Sequence, residues 1–222
     1  MNKTIFMLLA VFINFQLISQ PNFISEAEAR KNPQTIVDYF LILPENALGS
    51  ELKTFEARKK SLLPTADYKP VVDIKNAYIQ TNDFVEFGGV VYSVCYFNKQ
   101  DKQKVIAVSS FFEGGDGNYS TTKFYEYNKT LWKEVTNVVL PEISFEDFFK
   151  SNEKMPNVQF RKYQIFFTLP QKGTTVEARL VRDFNYYDET NGNEYHKLFD
   201  ELEKRKLFLV WNKKKAVFEI AK

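Results

Sequence analysis

Apolar positions along the chain change period twice, and each change marks a change of element. From Pro33, apolar residues recur at Ile36, Val37, Phe40, Leu41 and Leu43, close to the spacing of one helix face, and Pro44 ends the pattern. A second helix is expected from Ser50, where Ser50-Glu51-Leu52-Lys53 offers an N-cap and Leu52, Phe55 and Leu62 an apolar stripe, up to Pro64. From Pro70 the period becomes two. Strands are expected at 71–80, 90–97, 105–112, 120–128 and 132–140, separated by turn-forming runs such as Thr81-Asn82-Asp83, Gly88-Gly89, Asn98-Lys99-Gln100-Asp101 and Asn128-Lys129-Thr130. Consecutive strands with short connections call for an antiparallel meander, since parallel pairs need long crossovers.

Ser144-Phe145-Glu146-Asp147 reads as a capped short helix carrying Phe145, Phe148 and Phe149. Two further strands, 160–169 and 175–182, flank Pro170-Gln171-Lys172-Gly173. A polar stretch then leads to an amphipathic helix at 194–206 with Tyr195, Leu198, Phe199 and Leu202 on one side. A closing hairpin is expected from 207–211 and 216–220, turning at Asn212-Lys213-Lys214-Lys215. It echoes the aromatic hairpin around Asn128-Lys129, which raises two related helix-plus-sheet lobes, 33–141 and 142–222. The fold class expected is α+β: antiparallel meander sheets with packing helices, in one domain over 33–222.

The first twenty residues follow another rule. Lys3 is a short basic region, and residues 5–18 are apolar apart from Asn14 and Gln16. Ser19 and Gln20 then precede Pro21. That is the order of a cleavable signal peptide, and the apolar run falls short of the roughly 20 residues a membrane-spanning helix needs. Residues 1–20 are therefore expected to be removed on export to the periplasm or beyond. Residues 21–32 are expected to form a loosely ordered polar lead, and the mature chain is expected not to span the membrane. No cysteine follows the apolar run, which argues against lipid attachment.

Charge and cysteine narrow the partners. The formal net charge is +2, and residues 1–20 carry one lysine and no acid. A chain so near neutrality has no overall field for nucleic acid or an anionic membrane. The short basic runs Arg58-Lys59-Lys60, Lys204-Arg205-Lys206 and Lys213-Lys214-Lys215 read as solvated helix ends and a hairpin tip. Cys95 is the one cysteine, so no intramolecular disulfide forms; its strand-like surroundings point to a buried, inert thiol.

Candidate chemistry is sparse. His196 is the one histidine, beside Tyr195 in the expected helix, and no nucleophile motif accompanies it. One His and one Cys leave too few ligands for zinc. Asp183, Asn185, Asp188, Glu189, Asn191 and Glu194 resemble a calcium loop superficially, but Asp188 stands where an EF-hand requires glycine. Glu113, Asp116, Glu142, Glu146 and Asp147 are enough acids for a glycosidase pair, but spacing does not bring any two together. No phosphate-binding glycine motif is present, and no cofactor is expected. Aromatic residues are abundant, with 22 Phe and 12 Tyr. Tyr119, Trp132, Tyr186, Tyr187 and Trp211, at loops and hairpins, are the candidate interaction residues.

Thr35-Ile36-Val37-Asp38-Tyr39-Phe40-Leu41-Ile42-Leu43-Pro44, Val72-Asp73-Ile74-Lys75-Asn76-Ala77-Tyr78, residues 124–141 and Phe167-Thr168-Leu169-Pro170-Gln171-Lys172-Gly173-Thr174-Thr175 together resemble an uncharacterised family of exported bacterial proteins. The resemblance implies export and an α+β unit, and it implies no activity. The expected function is a soluble, exported, non-enzymatic binding module with a protein or polysaccharide partner outside the cytoplasm. The alternatives are a secreted hydrolase whose carboxylates converge only in the fold, or a carbohydrate- or calcium-binding accessory protein.

Overall fold

The computed structural model describes residues 23–85, 88–114, 117–149, 163–182, 201–202 and 204–221. Ten strands among them form two antiparallel sheets. The first runs β1 (Val71–Asp73), β2 (Tyr78–Val85), β3 (Gly88–Asn98), β4 (Lys104–Gly114), β5 (Gly117–Asn128) and β6 (Leu131–Glu134), in that order. The second is β7 (Tyr163–Thr168), β8 (Thr175–Arg182), β9 (Lys206–Asn212) and β10 (Val217–Ile220), each beside its sequence neighbour. The α+β class with antiparallel meanders is as the hydrophobic pattern predicts.

The central strands are apolar in both parities because both faces of the first sheet are covered. On one face, Val94 opposite Val108 and Tyr96 opposite Ile106 meet the N-terminal helices. Those are α1 (Glu26–Lys31), α2 (Ile36–Leu41) and α3 (Phe55–Ser61), which contribute Ala29, Ile36, Phe40 and Leu41 to that core and Phe55 beside Leu62. On the other face, Cys95 opposite Ala107 and Phe97 opposite Val105 meet Val176, Leu209, Trp211 and Phe218 of the second sheet. The layers are thus helices, sheet, sheet. The short helix α4 (Thr136–Val139) adds Val139 to the inter-sheet core. A 3₁₀ turn, Phe145–Phe148, packs its two phenylalanines on Ala178, Leu180 and Leu202.

Local chemistry sets the boundaries. Thr35 caps α2, its hydroxyl accepting from the Asp38 amide (3.3 Å) while the Asp38 carboxylate accepts from the Thr35 amide (2.8 Å). The predicted helix from Ser50 divides: Ser50–Leu52 is a 3₁₀ turn, and α3 starts at Phe55 under the cap Thr54. The lead segment 21–32, expected to be loosely ordered, holds α1. Ser25 and Glu28 form a reciprocal cap there, and Ala29 is buried.

Two predicted strands also divide. Residues 71–80 are the hairpin β1–β2, because Asp73 folds the chain back: its Oδ1 accepts from the Asn76 amide (3.0 Å) and its Oδ2 from Asn76 Nδ2 (2.7 Å). These bonds hold the Asp73 carboxyl below its usual range. Residues 132–140 are β6 followed by α4, where the Thr136 hydroxyl accepts from the Phe124 amide (3.0 Å) and carries the chain out of the sheet. Thr81-Asn82-Asp83, expected as a turn, lies inside β2. Of the helix predicted at 194–206, residues 201–202 are helical and β9 begins at Lys206. Positions 183–200 and 203 lie outside the described residues, as does the predicted signal peptide.

The hairpin echo has a different partner from the one its aromatic residues suggest. At the β9–β10 turn, Asn212 Oδ1 accepts from the amides of Lys214 and Lys215, and Ala216 takes φ 56°. The β1–β2 turn matches it, with Asp73 in the place of Asn212 and Ala77 likewise at φ 56°. The Asn128 turn is shorter, with Lys129 and Thr130 between strands.

Arg58 departs furthest from expectation. The sequence groups it with Lys59 and Lys60 as a solvated helix end, but it is 2% exposed. Its Nε donates to the Leu52 carbonyl (2.6 Å), Nη1 to Leu41 (3.2 Å) and Leu43 (2.5 Å), and Nη2 to Pro44 (3.1 Å). Burial brings the guanidinium down to about 10, leaving it charged at neutral pH. It ties the end of α2 to the turns that lead into α3.

Candidate functional site

Strand β9 is the place where the second sheet turns apolar side chains outward. Leu207, Leu209 and Trp211 point into the cores, so alternation sends Lys206, Phe208, Val210 and Asn212 to the opposite face. Phe208 is 48% exposed and Val210 41%. They sit two residues apart, about 7 Å along the strand. Across the ladder, Glu177 opposes Phe208, Thr175 opposes Val210, and on the other side Glu219 opposes Val210.

Ion pairs border this apolar strip. Lys206 Nζ lies 2.9 Å from Glu177, and Lys215 Nζ 2.7 Å from Glu219. Hydrogen bonds from Lys215 and Asn212 hold the Glu219 carboxyl below its usual range. An apolar centre with both signs of charge at its rim is the surface pattern of protein contacts.

The residues singled out in the sequence do not assemble into one site. Trp211 is buried between the sheets; its Nε1 donates to the Asn98 carbonyl (2.8 Å), and its ring meets Phe97 and Phe218 at 5.5 and 5.0 Å. It offers no face to a partner. Trp132 is half-buried on the helix-covered face, where Nε1 donates to the Ile42 carbonyl (2.8 Å) and the ring packs on Tyr127 at 4.7 Å. Tyr39 joins the same cluster, and Lys104 Nζ stands 4.9 Å from its ring and 4.7 Å from that of Tyr96. That cluster clamps the helices to the sheet. Tyr119 alone of the three is well exposed, at 43%, with Phe112 beside it at 5.9 Å. Tyr186 and Tyr187 lie outside the described residues.

The chemical candidates separate similarly. Cys95 is 3% exposed, and burial pushes its thiol well above the usual range, so it stays protonated and out of reach of solvent. Asp147 is occupied as a cap, its Oδ2 accepting from the Ser144 amide (2.7 Å) and hydroxyl (3.0 Å). Glu142 and Glu146 are exposed on the surface. Among the described residues, no three His, Cys, Asp or Glu side chains lie close enough together to hold a metal ion. Asp116, Asp183, Asn185, Asp188, Glu189, Asn191, Glu194 and His196 lie outside the described residues, and so does the side chain of Glu113. Among the described residues, no helix is long and apolar enough to cross a membrane.

Phe208 and Val210 gave no signal in the sequence. Lys206-Leu207-Phe208-Leu209-Val210-Trp211 is apolar at every position after the first, so a period of two does not tell inward from outward.

No protein-family model matches the chain, and no curated protein matches it. Among solved structures it is similar to a domain of an uncharacterized protein from Porphyromonas gingivalis W83, with 18% identity over 84% of this chain and 97% of that one, at a TM-score of 0.56. At that identity the likeness is one of fold: the chain shares its antiparallel α+β architecture with that domain.

Proposed function

We propose that this chain is an exported binding protein that engages a protein partner through the outer face of β9. The observation that carries the reading is the pair Phe208 and Val210, exposed side by side on a regular strand between the pairs Lys206–Glu177 and Lys215–Glu219. Exposed large apolar side chains grouped on a rigid sheet lose little conformational freedom when covered, so most of their burial is available to binding. The mixed-sign rim favours a protein surface over a polymer of one charge. Export rests on the order of basic, apolar and small residues in positions 1–20 and on the resemblance to exported bacterial proteins.

A photo-cross-linking residue at position 208 of the full chain, expressed in the native host, tests the binding face. The expected result is one protein adduct that disappears when Val210→Ser is added, with the circular dichroism of the variant unchanged. Recovery of polysaccharide alone, or an adduct indifferent to Val210→Ser, refutes the reading. Export is checked by N-terminal sequencing of the host protein; Met1 intact on a cytosolic product refutes it.

A further inference from the structure

On the same sheet face as Phe208, one strand over, Arg179 forms no ion pair among the described residues. It opposes Phe166 on β7 and Lys206 on β9, and it is half-buried. Its guanidinium carbon lies 4.9 Å from the Phe166 ring centroid, and Phe166 in turn lies 4.9 Å from Phe111 of the first sheet. The Arg179 Nε is buried and has no hydrogen-bond acceptor. The neighbouring carboxylate on the same strand face, Glu177, is engaged by Lys206 at 2.9 Å.

A second orphan stands at the far end of this row. Ser120, opposite Phe111 on β5, has a buried hydroxyl with no partner, while its amide donates to Gln164 Oε1 of β7 at 3.3 Å. The row is therefore Arg179, Phe166, Phe111, Ser120, with an unmet donor at one end, an unmet hydroxyl at the other and two phenyl rings between.

Burying part of a guanidinium without an acceptor is costly, and an arginine does not escape the cost by losing its proton. Buried orphan polar groups in folded proteins call for a specific explanation, a missing ligand among them. The Phe166 ring packs against the guanidinium, and a planar guanidinium fork suits an in-plane, two-oxygen acceptor. From this geometry we infer that Arg179 anchors a binding site for a carboxylate carried on an apolar body, the carboxylate on the guanidinium and the apolar part against Phe166 and Phe111. This site adjoins the β9 docking face, with Lys206 and Glu177 between them, and takes a different ligand.

The test uses the full chain, with benzoate, acetate and phosphate as probes and the side-chain Nε–H resonance of Arg179 as the readout. Benzoate shifts that resonance saturably, binds more tightly than acetate, and binds more tightly than phosphate. Arg179→Lys keeps the charge and loses the fork, weakening benzoate about tenfold or more, as expected for loss of a charge-assisted bond. Phe166→Leu leaves Arg179 in place and narrows the preference for benzoate over acetate, which keeps the test open if the lysine variant does not fold. An Nε–H resonance unmoved by millimolar benzoate, phosphate binding as tightly as benzoate, or equal benzoate affinity in Arg179→Lys each overturns the assignment.

Discussion

Replacing Arg58 with methionine should be among the most damaging substitutions in the protein, although Arg58 opens a run of three basic residues in an exposed-looking helix. Methionine approximates the length of the arginine stem and removes the guanidinium. Four carbonyls, those of Leu41, Leu43, Pro44 and Leu52, then lose their donor. Three of these bonds are buried and the bond to Pro44 is partly buried. Water can replace the donor at Pro44, so its share of the loss is small. Hydrogen bonds to a charged group contribute about 1.5–3 kcal/mol each, and a buried acceptor left unmet costs about 1–3 kcal/mol. The losses are not additive, because the loop relaxes once its shared anchor is gone. An overall destabilisation of about 3–5 kcal/mol follows, the range for breaking one side of a buried polar arrangement. At about 2–4 °C per kcal/mol for a chain of this size, the melting temperature should fall by about 6–20 °C. Urea unfolding followed by circular dichroism, with m held constant, measures it. Arg58→Lys should fall between the two, since an ammonium reaches some of the four acceptors but not all. A loss of under 1 kcal/mol in Arg58→Met would refute the claim that this guanidinium anchors the junction of α2 and α3.

Gly49→Ala should destabilise by about 1–3 kcal/mol, because the added Cβ would collide with the hydroxyl of Tyr92, which accepts a hydrogen bond from the Gly49 amide. In a Tyr92→Phe background the nearest remaining ring atom is at 3.5 Å, so the same change should cost less by roughly 1 kcal/mol; equal costs in a double-mutant urea series would refute the contact. Trp211→Ala should cost about 3–5 kcal/mol, whereas Tyr119→Ala, at a 43% exposed position, should cost clearly less, and comparable losses in thermal melts would contradict their placement. Burial raises Tyr125 to about 12 and pushes Cys95 upward, so the folded chain keeps these protons while the unfolded chain releases them near about 8.5 for Cys and 10 for Tyr. Their contribution is complete below the unfolded values and declines as pH rises toward the folded ones. Urea midpoints taken from pH 8 upward should fall, and the fall should be shallower in Cys95→Ala/Tyr125→Phe; identical slopes would count against it.

What the sequence by itself determined is the alternation and its punctuation. A switch from helical spacing to a period of two at Pro70, with turn residues between short apolar runs, specifies antiparallel meanders because each pairing is local. The cap Ser144 was legible for the same reason, needing only a partner three residues on, whereas Thr35 caps α2 two residues after the start the pattern suggested at Pro33. The hairpin at Asp73 was locally encoded as well, in Asp73 and Asn76, but the apolar pattern running through it hid the turn. Tertiary structure decided what lies on the two faces of strands that are apolar throughout. Only the stacking of helices, sheet and sheet makes Trp211 a core residue and Phe208 a surface one, though they are three positions apart on one strand. The surroundings of Arg58 and Arg179 were equally invisible. A guanidinium followed by two lysines reads as solvated until carbonyls 14 to 17 residues earlier in the chain close around it. An arginine in an alternating strand reads as a polar face until Phe166 and Phe111 of two other strands line up beside it. Period and capping are properties of neighbours in sequence; burial, pairing and the lack of a partner are properties of neighbours in space.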